Sequence, residues 1–125
     1  DLLPVILAHL PAGTSTHTVN HYTQIINSGL FSMYDYGTIG NMNHYGQRTP
    51  PMFNLTNVTP PVGLFWSDGD WIATAQDTAQ LATELPNVAL NKRIDKAEFN
   101  HFDFIWALHA YELVYKDLLD FLSQY

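Results

Sequence analysis

His101 stands in Asn100-His101-Phe102-Asp103-Phe104-Ile105-Trp106, one imidazole in a run of aromatics, and Asp70 stands upstream of it in Trp66-Ser67-Asp68-Gly69-Asp70-Trp71. An imidazole can take a proton from a nucleophile and return it to a leaving group, while a carboxylate behind it fixes its tautomer and stabilises the imidazolium. An acid after one strand and a histidine after the next make up the second half of a catalytic triad whose chain order is nucleophile, acid, histidine. A Gly-x-Ser-x-Gly nucleophile turn should then precede Asp70, and the sequence contains none. Ser67 lacks the pair of glycines at the two-residue offsets and directly precedes the acid. The expectation is the C-terminal part of a serine-dependent hydrolase, with acid and base but no nucleophile.

Spacing alone leaves the orienting acid open. Asp68 and Asp77 lie near Asp70 in sequence, and Asp103 lies two residues from His101. Asp77 fits the start of a helix and Asp103 a bond to backbone or a neighbouring loop, so Asp68 is the main rival. His17 and His21 sit four apart on an expected helix, a spacing that can chelate a metal. No acid joins them in a His-Glu-x-x-His pattern, which favours packing histidines, and no metal is expected.

The elements that must carry these residues are legible in outline. Val62 to Trp66 is a short apolar run, as in a strand of a parallel sheet buried on both faces, and its end delivers Asp70. Thr74 and Asp77 form a capping-box pattern before the stripe Ala75, Thr78, Leu81, Ala82 and Leu85, which ends at Pro86-Asn87. Val88, Leu90, Lys92 and Ile94 then alternate with Ala89, Asn91 and Arg93, the pattern of a half-exposed edge strand. Strand, helix, strand makes one crossover unit that sends Asp70 and His101 off the same edge of a parallel sheet, where open α/β folds bind ligands. Upstream, residues 1 to 14 read as an entry segment, with Pro4, Pro11 and Gly13 as punctuation, and a helix is expected over about 16 to 28, ended by Gly29. Phe31 to Pro61, rich in Tyr, Gly, Asn and Pro, reads as ordered but irregular structure pinned by aromatic contacts. A last amphipathic helix is expected over about 110 to 124.

Composition narrows the classes. Apolar residues at 46% and aromatics at 14% indicate a packed globular protein, and no run approaches the ~18 apolar residues of a membrane span. Five basic against twelve acidic residues give −7 with no cationic stripe, which argues against nucleic-acid binding. The absence of cysteine excludes thiolate metal sites and disulfides within this sequence. Two sequons, Asn54-Leu55-Thr56 and Asn57-Val58-Thr59, offer glycan acceptors, and Pro60 directly after the second makes Asn54 the better one. The chain opens on Asp1 without a charged-then-apolar leader, so processing or cloning is expected to have removed what came before.

Together these motifs resemble the acid lipase family of α/β-hydrolases, the group that contains gastric lipase and lysosomal acid lipase. The likeness runs through Pro11-Ala12-Gly13-Thr14-Ser15, the segment from His21 to Gly37 ending in Tyr34-Asp35-Tyr36-Gly37, Pro50 to Thr56, Asp70-Trp71-Ile72-Ala73, and Asn100 to Ala107. It implies that Asp70 and His101 are the acid and histidine of the triad, which settles the contest with Asp68. It implies an α/β fold, the C-terminal part of an α/β-hydrolase, with residues 1–54 the end of a helical, lid-bearing cap and residues 55–125 the C-terminal part of the core. Serine, oxyanion hole and most of the lid would lie in the upstream part of the same protein. Where the family has two glycines before the acid and Ala-Asp-Pro after it, this chain has Asp68-Gly69 and Ala73-Thr74-Ala75.

The implied activity is cofactor-free hydrolysis of neutral lipid esters, triacylglycerols or cholesteryl esters, at a lipid–water interface by a secreted or lysosomal glycoprotein. The alternative is a non-catalytic relative that only binds lipid or another protein, and the upstream serine discriminates the two.

Overall fold

The computed structural model describes residues 3–9 and 12–125. They form two compact units, Asp1–Phe53 and Asn54–Tyr125.

In the first unit, α1 (Leu3–His9) forms within the entry segment, where no helix was read. Pro4 lies in its first turn, where a missing N–H costs no intrahelical bond. The punctuation assigned to Pro11 lies outside the described residues. Helix α2 (Thr16–Ser28) matches its expected span: the Ser15 hydroxyl accepts from His17 N at 3.2 Å, and Gly29, at φ +66°, donates back to Ile25 O. Such a cap is worth about 1 kcal/mol.

The next stretch is ordered by side chains, and it contains a helix that the composition hid. Asp35 Oδ1 accepts from Gly37 N and from Asn41 Nδ2, both at 2.7 Å, and opens α3 (Gly37–Tyr45). Asn41, 1% exposed, accepts from Tyr36 N and donates to Arg48 O. The segment Gly37-Thr38-Ile39-Gly40-Asn41-Met42-Asn43-His44-Tyr45 has poor intrinsic helix propensity, so local hydrogen bonds supply what propensity does not. Rings do the pinning: His17 stacks on Tyr34 at 3.8 Å between centroids, and His44 on Tyr36 at 3.9 Å. An antiparallel bridge between Ser32 and Met52 closes the unit.

The second unit is a small α/β assembly. A 3₁₀ turn (Leu55–Asn57) leads to β1 (Val62–Trp66), then α4 (Ala75–Glu84) and β2 (Val88–Arg93). The strands pair in parallel, with a register shift after Val62, and Ile94 N adds one more rung to Trp66 O at 2.8 Å. The capping box of α4 is present in full, Thr74 with Asp77 N and Asp77 with Thr74 N. Strand β2 alternates between half-buried and exposed positions, as its pattern predicts, whereas β1 is half-buried throughout.

One turn, α5 (Asp103–Trp106), follows the histidine, and the last helix expected over about 110 to 124 is composite: a π-helical turn spans Tyr111–Tyr115 and α6 (Lys116–Leu122) continues it. Val114 of this turn joins the core of Ile94 and Phe99, and Leu113 and Tyr115 pack against it. Phe121 of α6 lies over β1 at Gly63, where a Cβ would stand 3.1 Å from its ring. Among the described residues no helix is long and apolar enough to cross a membrane.

Candidate active site

The turn after β1 places Asp70. Its N–H reaches back to Ser67 O at 3.3 Å, and its carboxylate turns inward, leaving the residue 6% exposed. Oδ1 accepts from Ile72 N at 2.9 Å and Ala73 N at 2.8 Å, while Oδ2 meets His101 Nδ1 at 2.9 Å. Burial alone would raise its pKa, but the Ala73 amide, the His101 ring and the Ile72 amide together hold it below the ordinary carboxylate value.

A carboxyl lowered on folding stabilises the protein above its unfolded pKa, and that contribution disappears as pH falls through the folded value. Urea melts of folded wild type and Asp70→Asn should therefore differ by an amount that begins to decline below about pH 5 and vanishes at lower pH. A gap that stays constant down to the acid limit of folding would contradict this ionisation.

His101 comes from the loop after β2. Asn100 N donates to Asp103 Oδ2 at 2.8 Å and Phe102 N to Asn100 Oδ1 at 2.9 Å, so the loop is braced on both sides of the imidazole. Phe104, edge-on to Phe99, and Tyr115, whose hydroxyl donates to Phe104 O at 2.6 Å, fix the rest to the core. The imidazole is 43% exposed, against 4% for the Asp70 side chain. With Nδ1 committed to Asp70, proton exchange with any other partner falls to Nε2.

The remaining acids have other partners. Asp68 points outward to Arg93, which donates from Nε at 2.9 Å and again from Nη2. Asp77 serves the start of α4 and Asp103 the backbone of Asn100, as their positions suggested. His17 is stacked on Tyr34, and His21 Nε2 lies 2.8 Å from Ser32 O. Among the described residues no group of three His, Asp or Glu could hold a metal. Asn54 is exposed, its Oδ1 accepting from Thr56 N and Oγ1, and Asn57 is exposed as well.

Gly69 has a role that its motif alone did not disclose. A Cβ there would stand 2.6 Å from Phe99 O and 3.2 Å from Ala97 O, so only glycine lets the acid loop lie against the histidine loop. Its place directly before the acid was the available signal.

No protein-family model matches the chain. Against individual proteins it is 43% identical over 122 residues to Lipase lipl-1 of Caenorhabditis elegans, covering 94% of this chain and 29% of that protein. It is 40% identical over 123 residues to human gastric triacylglycerol lipase, covering 98% and 30%, and 37% identical over 123 residues to Lipase 1 of Drosophila melanogaster, covering 98% and 28%. The chain thus spans less than a third of the length of these curated relatives. Over nearly all of its own length the chain is a sequence relative of the gastric triacylglycerol lipases and their kin, the resemblance that its motifs carry.

Proposed function

We propose that this chain is the C-terminal segment of a lipase of the α/β-hydrolase fold, in which Asp70 and His101 complete a triad with a serine supplied upstream. The 2.9 Å contact between His101 Nδ1 and the ionised Asp70, at the carboxyl ends of two parallel strands, carries this reading. In it, His101 Nε2 takes the serine proton as the serine attacks the ester carbonyl, then returns it to the departing alcohol. Water, activated by the same nitrogen, releases the acid from the acyl-serine. The substrates are neutral lipid esters met at a lipid–water interface. Residues 1–54 are assigned to the end of the cap and residues 55–125 to the end of the core. The test is a purified longer protein assayed on a triacylglycerol emulsion: turnover with an intact upstream Gly-x-Ser-x-Gly supports the enzyme, and a substituted serine without turnover replaces it by a lipid- or protein-binding relative.

The protein is further assigned to a secretory route, ending outside the cell or in the lysosome. Protein made in a eukaryotic secretory host should carry glycan on Asn54, whose side chain is exposed and already hydrogen-bonded to the hydroxyl of its sequon threonine. Peptide mass spectrometry decides this, and an unmodified Asn54 in secreted material would remove the sequon as support for that route.

A further inference from the structure

Ser67 takes no part in the proton relay, yet it is the most deeply buried polar side chain among the described residues, at 0% exposure. Its Oγ donates to Phe99 O at 2.5 Å, and its own carbonyl accepts from Asp70 N at 3.3 Å. Phe99 is likewise at 0% exposure and lies two residues before His101. One serine therefore touches the base of both loops: through its carbonyl it shapes the turn that carries Asp70, and through its hydroxyl it grips the chain that carries His101. Gly69 makes the grip possible, because its bare Cα lets the same Phe99 carbonyl come close. The ion pair between these strand ends, Arg93 with Asp68, is exposed to water and correspondingly weak. A buried hydroxyl–carbonyl bond is stronger, and its loss would leave the Phe99 carbonyl without that donor.

We propose that Ser67 is a positioning residue for the Asp70–His101 pair, its buried clasp of the Phe99 carbonyl setting the spacing of the two loops. The proposal rests on the triad reading above. Without the clasp the loops separate, the Nδ1 contact lengthens, and the imidazole loses its orientation toward the nucleophile, a loss in the proton transfers rather than in ester binding. The effect therefore falls on kcat rather than on KM.

The test uses the longer protein with Ser67→Ala, Ser67→Thr, Gly69→Ala and His101→Ala, assayed for kcat and KM on a water-soluble short-chain ester. The low-field proton resonance of His101 Nδ1 is recorded in parallel. Ser67→Ala should lower kcat by up to on the order of 100-fold with KM unchanged, and should shift or broaden the resonance. Ser67→Thr, which keeps the hydroxyl, should restore both, and Gly69→Ala should reproduce the defect by wedging the loops apart. Wild-type kcat and resonance in Ser67→Ala, with His101→Ala inactive, would overturn the clasp and leave the triad standing. Activity retained in His101→Ala would instead overturn the triad reading. Should Ser67→Ala fail to fold by circular dichroism, Gly69→Ala decides, and unchanged kcat there overturns the proposal.

Discussion

Replacing His101 by alanine in the longer protein is expected to lower turnover on the order of 10⁶-fold, and Asp70→Ala on the order of 10⁴-fold, by analogy with the subtilisin triad. In the proposed triad the histidine carries both proton transfers, so its loss would remove the general base of one half-reaction and the general acid of the next. Asp70 acts only through the imidazole: it holds Nδ1 at 2.9 Å, and without it the ring keeps some chance of the right tautomer and orientation. Asp68→Ala should change turnover little, because Asp68 is half-exposed and bonded to Arg93 on the outside of the turn. Equal damage from Asp68→Ala and Asp70→Ala in folded protein, measured as kcat on a short-chain ester, would reverse the assignment of the acid.

Residues 1 to 125 expressed alone are expected to hydrolyse no ester and to fold poorly. Catalysis fails for want of a nucleophile, since the chain contains no Gly-x-Ser-x-Gly and Ser67 is buried and committed to Phe99. Stability fails on the sheet and the core. Among the described residues the sheet has two strands, whereas independently stable sheets generally need three or more. The buried apolar side chains described are Ile94, Phe99, Ala110, Val114 and Phe121, all in the second unit, while Leu64 and its neighbours in β1 are only half-buried. Strand β1 pairs with β2 on one side, and its other edge is a template for aggregation unless another strand covers it. Fast amide exchange in β1, low solubility and no turnover are expected, with solubility gained when the upstream segment is co-expressed. Turnover by the isolated chain that His101→Ala abolishes would show that it contains an unrecognised nucleophile.

What the sequence disclosed, it disclosed through strong local signals. The apolar run of β1, the Thr74–Asp77 box and the alternation of β2 each reflect one physical constraint, and each lies where it was read. Helices α1 and α3 were hidden for different reasons. Pro4 looks like a breaker until it is seen to occupy a first turn, and α3 depends on the side chains of Asp35 and Asn41 rather than on propensity. The choice between Asp68 and Asp70 could not come from spacing, since both lie in one tight turn. The two differ in what each carboxylate meets: Arg93 at the neighbouring strand end for one, two amides and an imidazole for the other, which supports the proposal of Asp70. Gly69 was only partly legible: its place before the acid is a signal, but the carbonyl that constrains it lies thirty residues away in sequence.

The most direct test of the central claim is covalent labelling of the longer protein by a phosphonate ester, which reacts with a serine only when that serine is activated by its base. Wild type should be labelled on one serine upstream of this segment, located by peptide mass spectrometry, and His101→Ala should be labelled far more slowly at the same position. Undiminished labelling in a folded His101→Ala protein would contradict the assignment of His101 as the base of the triad.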